Sequence, residues 1–563
     1  TGRRDEARQI LEQLLAQHEE RGVTAYEIAV IYSLLGDTDE ALRWLEQAER
    51  EHAVGLTFVR VDPHLDSLRS DPRFDEFLRR MSGPRASRSR SSATTPEERT
   101  VAILPFKVVN PGEDGRDTGA AYLGLGLADA LITRLSNIRS LTVRPTSAVA
   151  RFGGDAQDPV EAGRALGVAF VLDGRVLLAG ARLRVTVQLV RVSDRSPVWA
   201  EKFDADHTDI LAVHDSISEQ VAVALVPQLS GAERERVAAH GTDDAKAYEA
   251  YLRGRYHWNS ISEDAFARAI TFYQEAIRLD PSYALAHAGV ADYYNWLGVY
   301  GVRPSDECFT EARREAERAI ELDPHLAEAY AALNFADVGQ WDWPAAERHI
   351  KRAIELNPKY STAHNFYCLQ LAAQGRFEEF ERVGARALEL DPVSPHLSQT
   401  LGWGFYHARR FEESLTHLRR SLELDPNFVL SRWVLGWTLA QLGRFEESIA
   451  EAERAALVTD RNSMPVLAAL ADVYAMAGDE ASARGVLAEL EEKGRTRHVS
   501  PYHVALVHAN FGEDERALAL LEEAARAREA WLIWMKGEPQ LDRLRAHPRF
   551  VALLEQVHPS EAS

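Results

Sequence analysis

The chain of 563 residues has only two cysteines, Cys308 and Cys368, and only seven lysines among its 65 basic residues. So few cysteines exclude a disulfide scaffold and a multi-cysteine zinc cage. Long apolar runs are missing too, and none approaches the roughly 20 residues of a membrane-spanning helix. Basic charge is in deficit: 65 basic against 86 acidic residues leave −21. This argues against a nucleic-acid binder, which needs a basic face for phosphate. Catalytic and metal signatures are also lacking: there is no HExxH, no GxSxG and no Cys/His ligand spacing. No catalytic residue, cofactor or metal is therefore expected. Gly124 and Gly126 lack the third glycine and the Lys-Ser/Thr of a phosphate loop and lie inside a helical stretch, which reads as helix packing. His214-Asp215 has no nucleophile motif beside it and reads as a surface or capping pair.

What is present is a repeat. Asp280-Pro281, Asp323-Pro324, Asn357-Pro358, Asp391-Pro392 and Asp425-Pro426 are spaced 43, 34, 34 and 34 residues apart. Each closes an apolar helical phrase such as RAIELDP or RALELDP. Gly375, Arg409 and Gly443 begin a second series at the same spacing, and Gly478 and Gly512 are again 34 apart. Each unit reads as two amphipathic helices, the first ended by glycine and the second by Asp/Asn-Pro. A pair this small cannot bury its apolar face alone, so neighbours must stack. The period, the small residues Gly402 and Gly436 and the closing proline resemble the tetratricopeptide repeat. About eight units run from Ala250 to Trp531, with a nine-residue insertion near VYGVRPSDE.

A second internal match relates Tyr26–Met81 to Tyr502–Val557 by a shift of 476 residues, with 19 identities in 56 positions. LDSLRSDPRF at Leu65–Phe74 matches LDRLRAHPRF at Leu541–Phe550. Each copy is expected to close a solenoid, whose last repeat needs an atypical outer face. Gly2 and Ala7 are spaced like Gly512 and Ala517, which places Thr1 at the turn inside a repeat. The chain is thus expected to be the C-terminal part of a longer polypeptide; a self-standing helical cap is the alternative. The linker after Met81 reads as a solvated flexible tether, and Arg79, Arg80, Arg85, Arg88 and Arg90 make a basic run that leads into it.

From Thr100 the pattern becomes β-α-β-α-β-β-β-α, with VAILPFKVV a strand-like run. LRVTVQLVRV alternates, putting Leu183, Val185, Val187 and Leu189 on one face. The phrases VAILPF, YLGLGLADALITRLS, LTVRPTSAV, LGVAFVLDGRV, RLRVTVQLVRVSD and DILAVHDSISEQVA resemble the TolB amino-terminal and FlgO-like domains. That resemblance implies a bacterial signalling protein, in which this domain and repeats commonly follow a receptor-type kinase, a class III nucleotide cyclase or a winged-helix regulator. The expected fold class is mainly α: a right-handed tetratricopeptide solenoid with one embedded α/β domain. The expected divisions are 1–82, the end of an upstream array with its closing unit; 83–99, linker; 100–230, α/β domain; 231–249, connector; 250–531, repeat array; and 532–563, closing segment.

In such arrays the first helices line a concave groove that takes peptides. The register places Asp292, Asn295 and Trp296, then Phe335, then Asn365 and Leu369 there. His396, Gln399, Trp403, Tyr406, His407, Trp433 and Trp437 follow. Aromatic rings and amides on one face have the composition of an interaction surface. The competing possibility is that the rings pack between repeats. The acidic balance favours a neutral or basic protein segment as partner, with no nucleic acid and no membrane span. The expected function is a non-enzymatic, cytoplasmic protein-binding scaffold or sensor. The alternatives are the regulatory remainder of a larger kinase or cyclase, and a solenoid that self-assembles through its incomplete N-terminal repeat.

Overall fold

The computed structural model describes residues 25–51, 62–69, 71–81, 99–109, 121–153, 158–179, 182–206, 210–226, 241–259 and 263–559, with positions 11, 56, 59 and 231. The half-repeat expected before residue 25, the basic linker at 82–98 and the Gly180-Ala181 turn lie outside them. The chain divides into two compact units, one of Thr1–Arg144 with Val149–Ala238, the other of Pro145–Ala148 with Ala239–Ser563.

In the first unit a six-stranded sheet has five strands in the order β3-β1-β4-β5-β6, with β2 off that path and paired with β4. The strands are β1 Thr100–Ile103, β2 Lys107–Val109, β3 Thr142–Val143, β4 Phe170–Ala179, β5 Arg182–Arg191 and β6 Pro197–Asp206. β1, β2 and β3 form the parallel part, and β4, β5 and β6 an antiparallel meander. VAILPFKVV is not one strand. Pro105 has no N–H to give a ladder, so the run breaks into β1 and β2, both paired with β4. At the break Phe106 N–H donates to the Gly124 carbonyl at 3.0 Å. A Cβ at Gly124 would stand 2.2 Å from the Phe106 oxygen, so this glycine permits a close helix–strand approach inside helix Ala121–Leu135. β5 buries Leu183, Val185, Val187 and Leu189 as expected, but Thr186, Gln188 and Val190 on its other face are buried as well. His214 is not on the surface: it is fully buried in helix Ile210–Leu225, while Asp215 pairs with Arg134 at 2.5 Å.

The second unit is a tetratricopeptide solenoid. Eight antiparallel helix pairs run from Ala245–Trp258 with Glu263–Leu279 to Pro501–Phe511 with Asp514–Arg526. The turn inside a pair needs one left-handed residue, supplied by Gly375, Gly443, Gly478 and Gly512, and by Trp341 and Arg409 where glycine is absent. Between pairs the Asp/Asn before proline accepts the N–H two residues on: Asp280 from Ser282 at 2.9 Å and Asp425 from Asn427 at 3.0 Å. The insertion is taken up in the second pair, whose helices lengthen to 16 residues (Ala284–Val299) and 18 residues (Ser305–Leu322). Successive first helices pack more closely on one another than successive second helices, which puts the first helices on the inner face.

The two related segments share one local fold. Ala25–Leu35, Thr38–Arg50, Pro63–Leu68 and Pro72–Met81 correspond, each by the same shift, to Pro501–Phe511, Asp514–Arg526, Pro539–Leu544 and Pro548–Val557. Their cores match too: Ala41, Leu45, Leu65, Leu68 and Phe74 are buried, as are Ala517, Leu521, Leu541, Leu544 and Phe550.

Candidate functional site

The inner face of the solenoid carries the aromatic residues that the register predicts there, and most are covered by the chain itself. After Arg526 the chain leaves helical periodicity, with Arg528 left-handed, and turns back in two 3-10 segments, Ala530–Trp534 and Pro539–Leu544. This closing segment crosses the first helices of several repeats. Trp531 Nε1 donates to the Val299 carbonyl at 2.7 Å, across 232 residues of sequence. Its ring stacks on Trp403 with centroids 5.5 Å apart. Trp534 stacks on the other partners available there, Trp403 at 5.1 Å and His407 at 4.7 Å. Trp433 meets Trp437, His503 and Trp531, all with centroids near 5.3 Å or less.

Polar groups fix the register of the segment. Lys536 Nζ donates to the Gln374 carbonyl at 2.8 Å. Tyr406 OH donates to Glu538 Oε1 at 2.9 Å. Arg409 grips Asp542 with two bonds, of 2.5 and 2.6 Å. Further along, Trp343 Nε1 donates to the Val557 carbonyl at 2.6 Å and its ring stacks on His558. Gly537 is the point of closest approach, since a Cβ there would lie 2.9 Å from His407 Cβ.

Burial sets the protonation of this region. Glu538 is 1% exposed, and desolvation pushes its carboxyl up to about 7. Asp472, also buried, is raised well above the carboxylate range by burial and by the nearby Glu538 charge; Asn510 Nδ2 donates to it at 2.6 Å. His407 and His503 are driven down to about 3 by burial, so both rings are neutral at ordinary pH.

The predicted groove residues therefore fall into two sets. Gln399, Trp403, Tyr406, His407, Trp433 and Trp437 are buried, the aromatic ones among the chain's own rings, and are not open to a ligand in this structure. Asn295 is buried as well, its Nδ2 tying its repeat to the next by a 2.9 Å bond to the Ala332 carbonyl. Trp296, Asn365 and His396 remain half-buried, as do Asp292, Phe335 and Leu369. Around them stand Arg255, Glu328 and Tyr360, also half-buried. Asp292, Glu328, Arg255 and Tyr360 are within electrostatic reach of one another. Deep placement in the concavity, reinforced by Glu328, lifts the Asp292 carboxyl to about 7 against the pull of Arg255. A closing segment is expected at 532–563, but the periodicity gives no sign that it folds back over the groove; the signal for that is AWLIW, a ring-rich phrase outside the helical pattern.

Among the described residues no group of His, Cys, Asp and Glu is arranged to hold a metal, and both cysteines are free and buried. No helix among them is long and apolar enough to cross a membrane.

Comparison with known proteins divides along the same lines. Residues 1–54, 336–395 and 400–465 match tetratricopeptide-repeat family models. Residues 97–220 match the second domain of HilA/YgeH-like transcriptional regulators. Over 250 residues the chain is 28% identical to putative adenylate cyclase 3 of Rhizobium meliloti (strain 1021), covering 43% of this chain and 40% of that protein. The chain thus spans well under two thirds of that relative's length. Similar solved structures include a thermophilic TPR protein of Thermus thermophilus, at 19% identity and a TM-score of 0.30 over 34% of this chain and 98% of the other. Pseudomonas aeruginosa pilF is 19% identical with a TM-score of 0.28, over 38% and 92% of the two chains.

Proposed function

We propose that the chain is the protein-recognition part of a bacterial signalling protein and that its half-open inner face holds a segment of a partner. The carrying observation is the half-buried set of Arg255, Asp292, Glu328, Tyr360, Asn365 and His396 inside a repeat solenoid. Two carboxylates face one guanidinium there, which favours a segment with a lysine or arginine over an acidic one. Such a cation would stabilise the ionised form of Asp292, whose desolvation is otherwise unfavourable. The match of 97–220 to a domain of transcriptional regulators, and the resemblance to TolB amino-terminal and FlgO-like domains, support a sensor or scaffold role for the α/β domain. The test is the chain's affinity for the partner that crosslinks to it in its native cell. Glu328→Lys with Asp292→Asn should weaken that complex at least tenfold; unchanged affinity would remove the strip from the interface.

A second reading has its own support. The similarity to a putative adenylate cyclase favours a regulatory part of a nucleotide cyclase. Cyclic nucleotide formation by the native gene product, and its change when the strip is substituted, decides between regulation and scaffolding alone.

A further inference from the structure

The closing segment lies in the aromatic half of the groove as a ligand would lie. We infer that residues 530–538 are a resident occupant of that half, and that the partner able to enter it is a segment of the same chemistry: two aromatic anchors three residues apart, then a carboxylate four residues after the second. The inference rests on the reading that this inner face takes protein segments.

Three observations carry it. The first is the nature of the contacts. Indole to Val299 carbonyl, ammonium to Gln374 carbonyl and Tyr406 hydroxyl to carboxylate are all bonds that a separate peptide could make. The second is the backbone. Its own backbone-to-backbone bonds are local, such as Met535 N–H to Leu532 and Leu541 N–H to Glu538. Leaving the groove would break no backbone bond inside a repeat helix, only side-chain bonds such as that of Asn510 to Gln540.

The third comes from the two related segments. Positions that build the unit's own core are kept: Leu65 and Leu541, Leu68 and Leu544, Phe74 and Phe550. Positions that face the groove in the C-terminal copy are changed. Trp531 aligns with Gly55, Trp534 with Phe58 and Gly537 with Val61. The helices and core that the two copies share therefore go with other residues at these places in the N-terminal copy's sequence. In the C-terminal copy they serve the groove: the indoles fill it, and Gly537 clears His407 by having no Cβ. This is complementarity between a segment and a surface, added to a unit whose described helices and buried core are shared with the other copy.

A cis occupant hides its site from a competitor in proportion to the fraction of time it is bound. The test uses the full chain and a fluorescent peptide of sequence 527–545. Gly537→Val restores the residue of the other copy and collides with His407; Trp534→Ala removes one anchor. Either variant should bind the peptide at least tenfold more tightly than the unsubstituted chain, with the helical circular dichroism retained. A peptide with Ala at both tryptophan positions should not bind. Helical, folded variants with no gain in peptide affinity would overturn the inference. So would loss of the repeat helices in both variants, because the segment would then be a permanent part of the core. Glu328→Lys should leave peptide affinity unchanged, so failure of the open strip and failure of the resident segment are read separately.

Discussion

Trp403 and Tyr360 belong to neighbouring repeats on one inner face, yet their surroundings differ. Trp403 is 5% exposed, sandwiched between Trp531, Trp534, Trp433 and His407. Tyr360 is half-buried among Arg255, Asp292 and Glu328, with no ring stacked on it among the described contacts. The covered half has become hydrophobic core, with the packing density and intolerance of cavities that this implies. The other half has kept charged side chains with partial exposure. A groove-lining register position thus does not say whether a residue recognises a partner or stabilises the fold. What lies over it does.

The largest effect that sharpens this contrast is a cavity in the covered half. Trp433 is 1% exposed and touches Trp403, Trp437, His503 and Trp531. Trp433→Ala should cost about 3–5 kcal/mol. Asn365→Ala in the open half should change stability by no more than about 0.5 kcal/mol. Urea unfolding followed by circular dichroism measures both. Equal losses would break the comparison and make the whole inner face core.

Next comes protonation. The Glu538 carboxyl titrates near 7 in the folded chain against 4.5 when unfolded. Between these values the folded state keeps a proton that the unfolded state has lost, so this group's contribution falls as pH rises. Glu538→Gln retains an oxygen for the Tyr406 hydroxyl and cannot ionise. Its melting temperature should match the parent below about pH 4.5 and exceed it increasingly up to pH 8. The comparison must be between the two proteins. In either one alone, His407 and His503, held near 3, add stability as pH rises from 3 toward 6.5 and mask the carboxylate. A pH-independent difference would mean that Glu538 is ionised in place. Smaller again is Arg409→Ala. Its bidentate bridge to Asp542 is nearly half exposed on both sides, so the loss should be about 0.5–1 kcal/mol and shrink in salt.

Much of the fold was legible because it is periodic. The 34-residue spacing, the left-handed turn glycines and the Asp/Asn-Pro closures locate the helix pairs, and alternation along β5 identifies it as a strand. Where Pro105 interrupts a strand-like run, apolar content concealed a break that the missing N–H enforces. His214 was misjudged because its burial comes from the packing of helix Ile210–Leu225 on elements distant in sequence, β5 and helix Ala121–Leu135 among them. The path of the closing segment was illegible for the same reason. Its bonds span 132 and 232 residues, its turns are 3-10 rather than α, and its docking uses side chains that follow no period. The internal duplication held the clue, since Trp531, Trp534 and Gly537 differ from their counterparts while the core positions agree.

The finest test compares the two raised carboxyls. Asp292 is lifted to about 7 from 3.8, mainly by its depth in the concavity, with Arg255 opposing. Unlike Glu538 it keeps partial exposure, through which solvent can screen the cost of its charge. The sign is the same: the folded form holds its proton to higher pH, so stability contributed by this site falls as pH rises from about 4 to 7. Asp292→Asn should therefore be neutral near pH 4 and mildly stabilising at pH 8, by less than Glu538→Gln. If the two substitutions gain equally at pH 8, water does not reach Asp292 and the strip is closed. If Asp292→Asn is destabilising there, Arg255 holds the carboxylate ionised, and the strip presents a neutral ion pair rather than an acidic seat for a basic side chain.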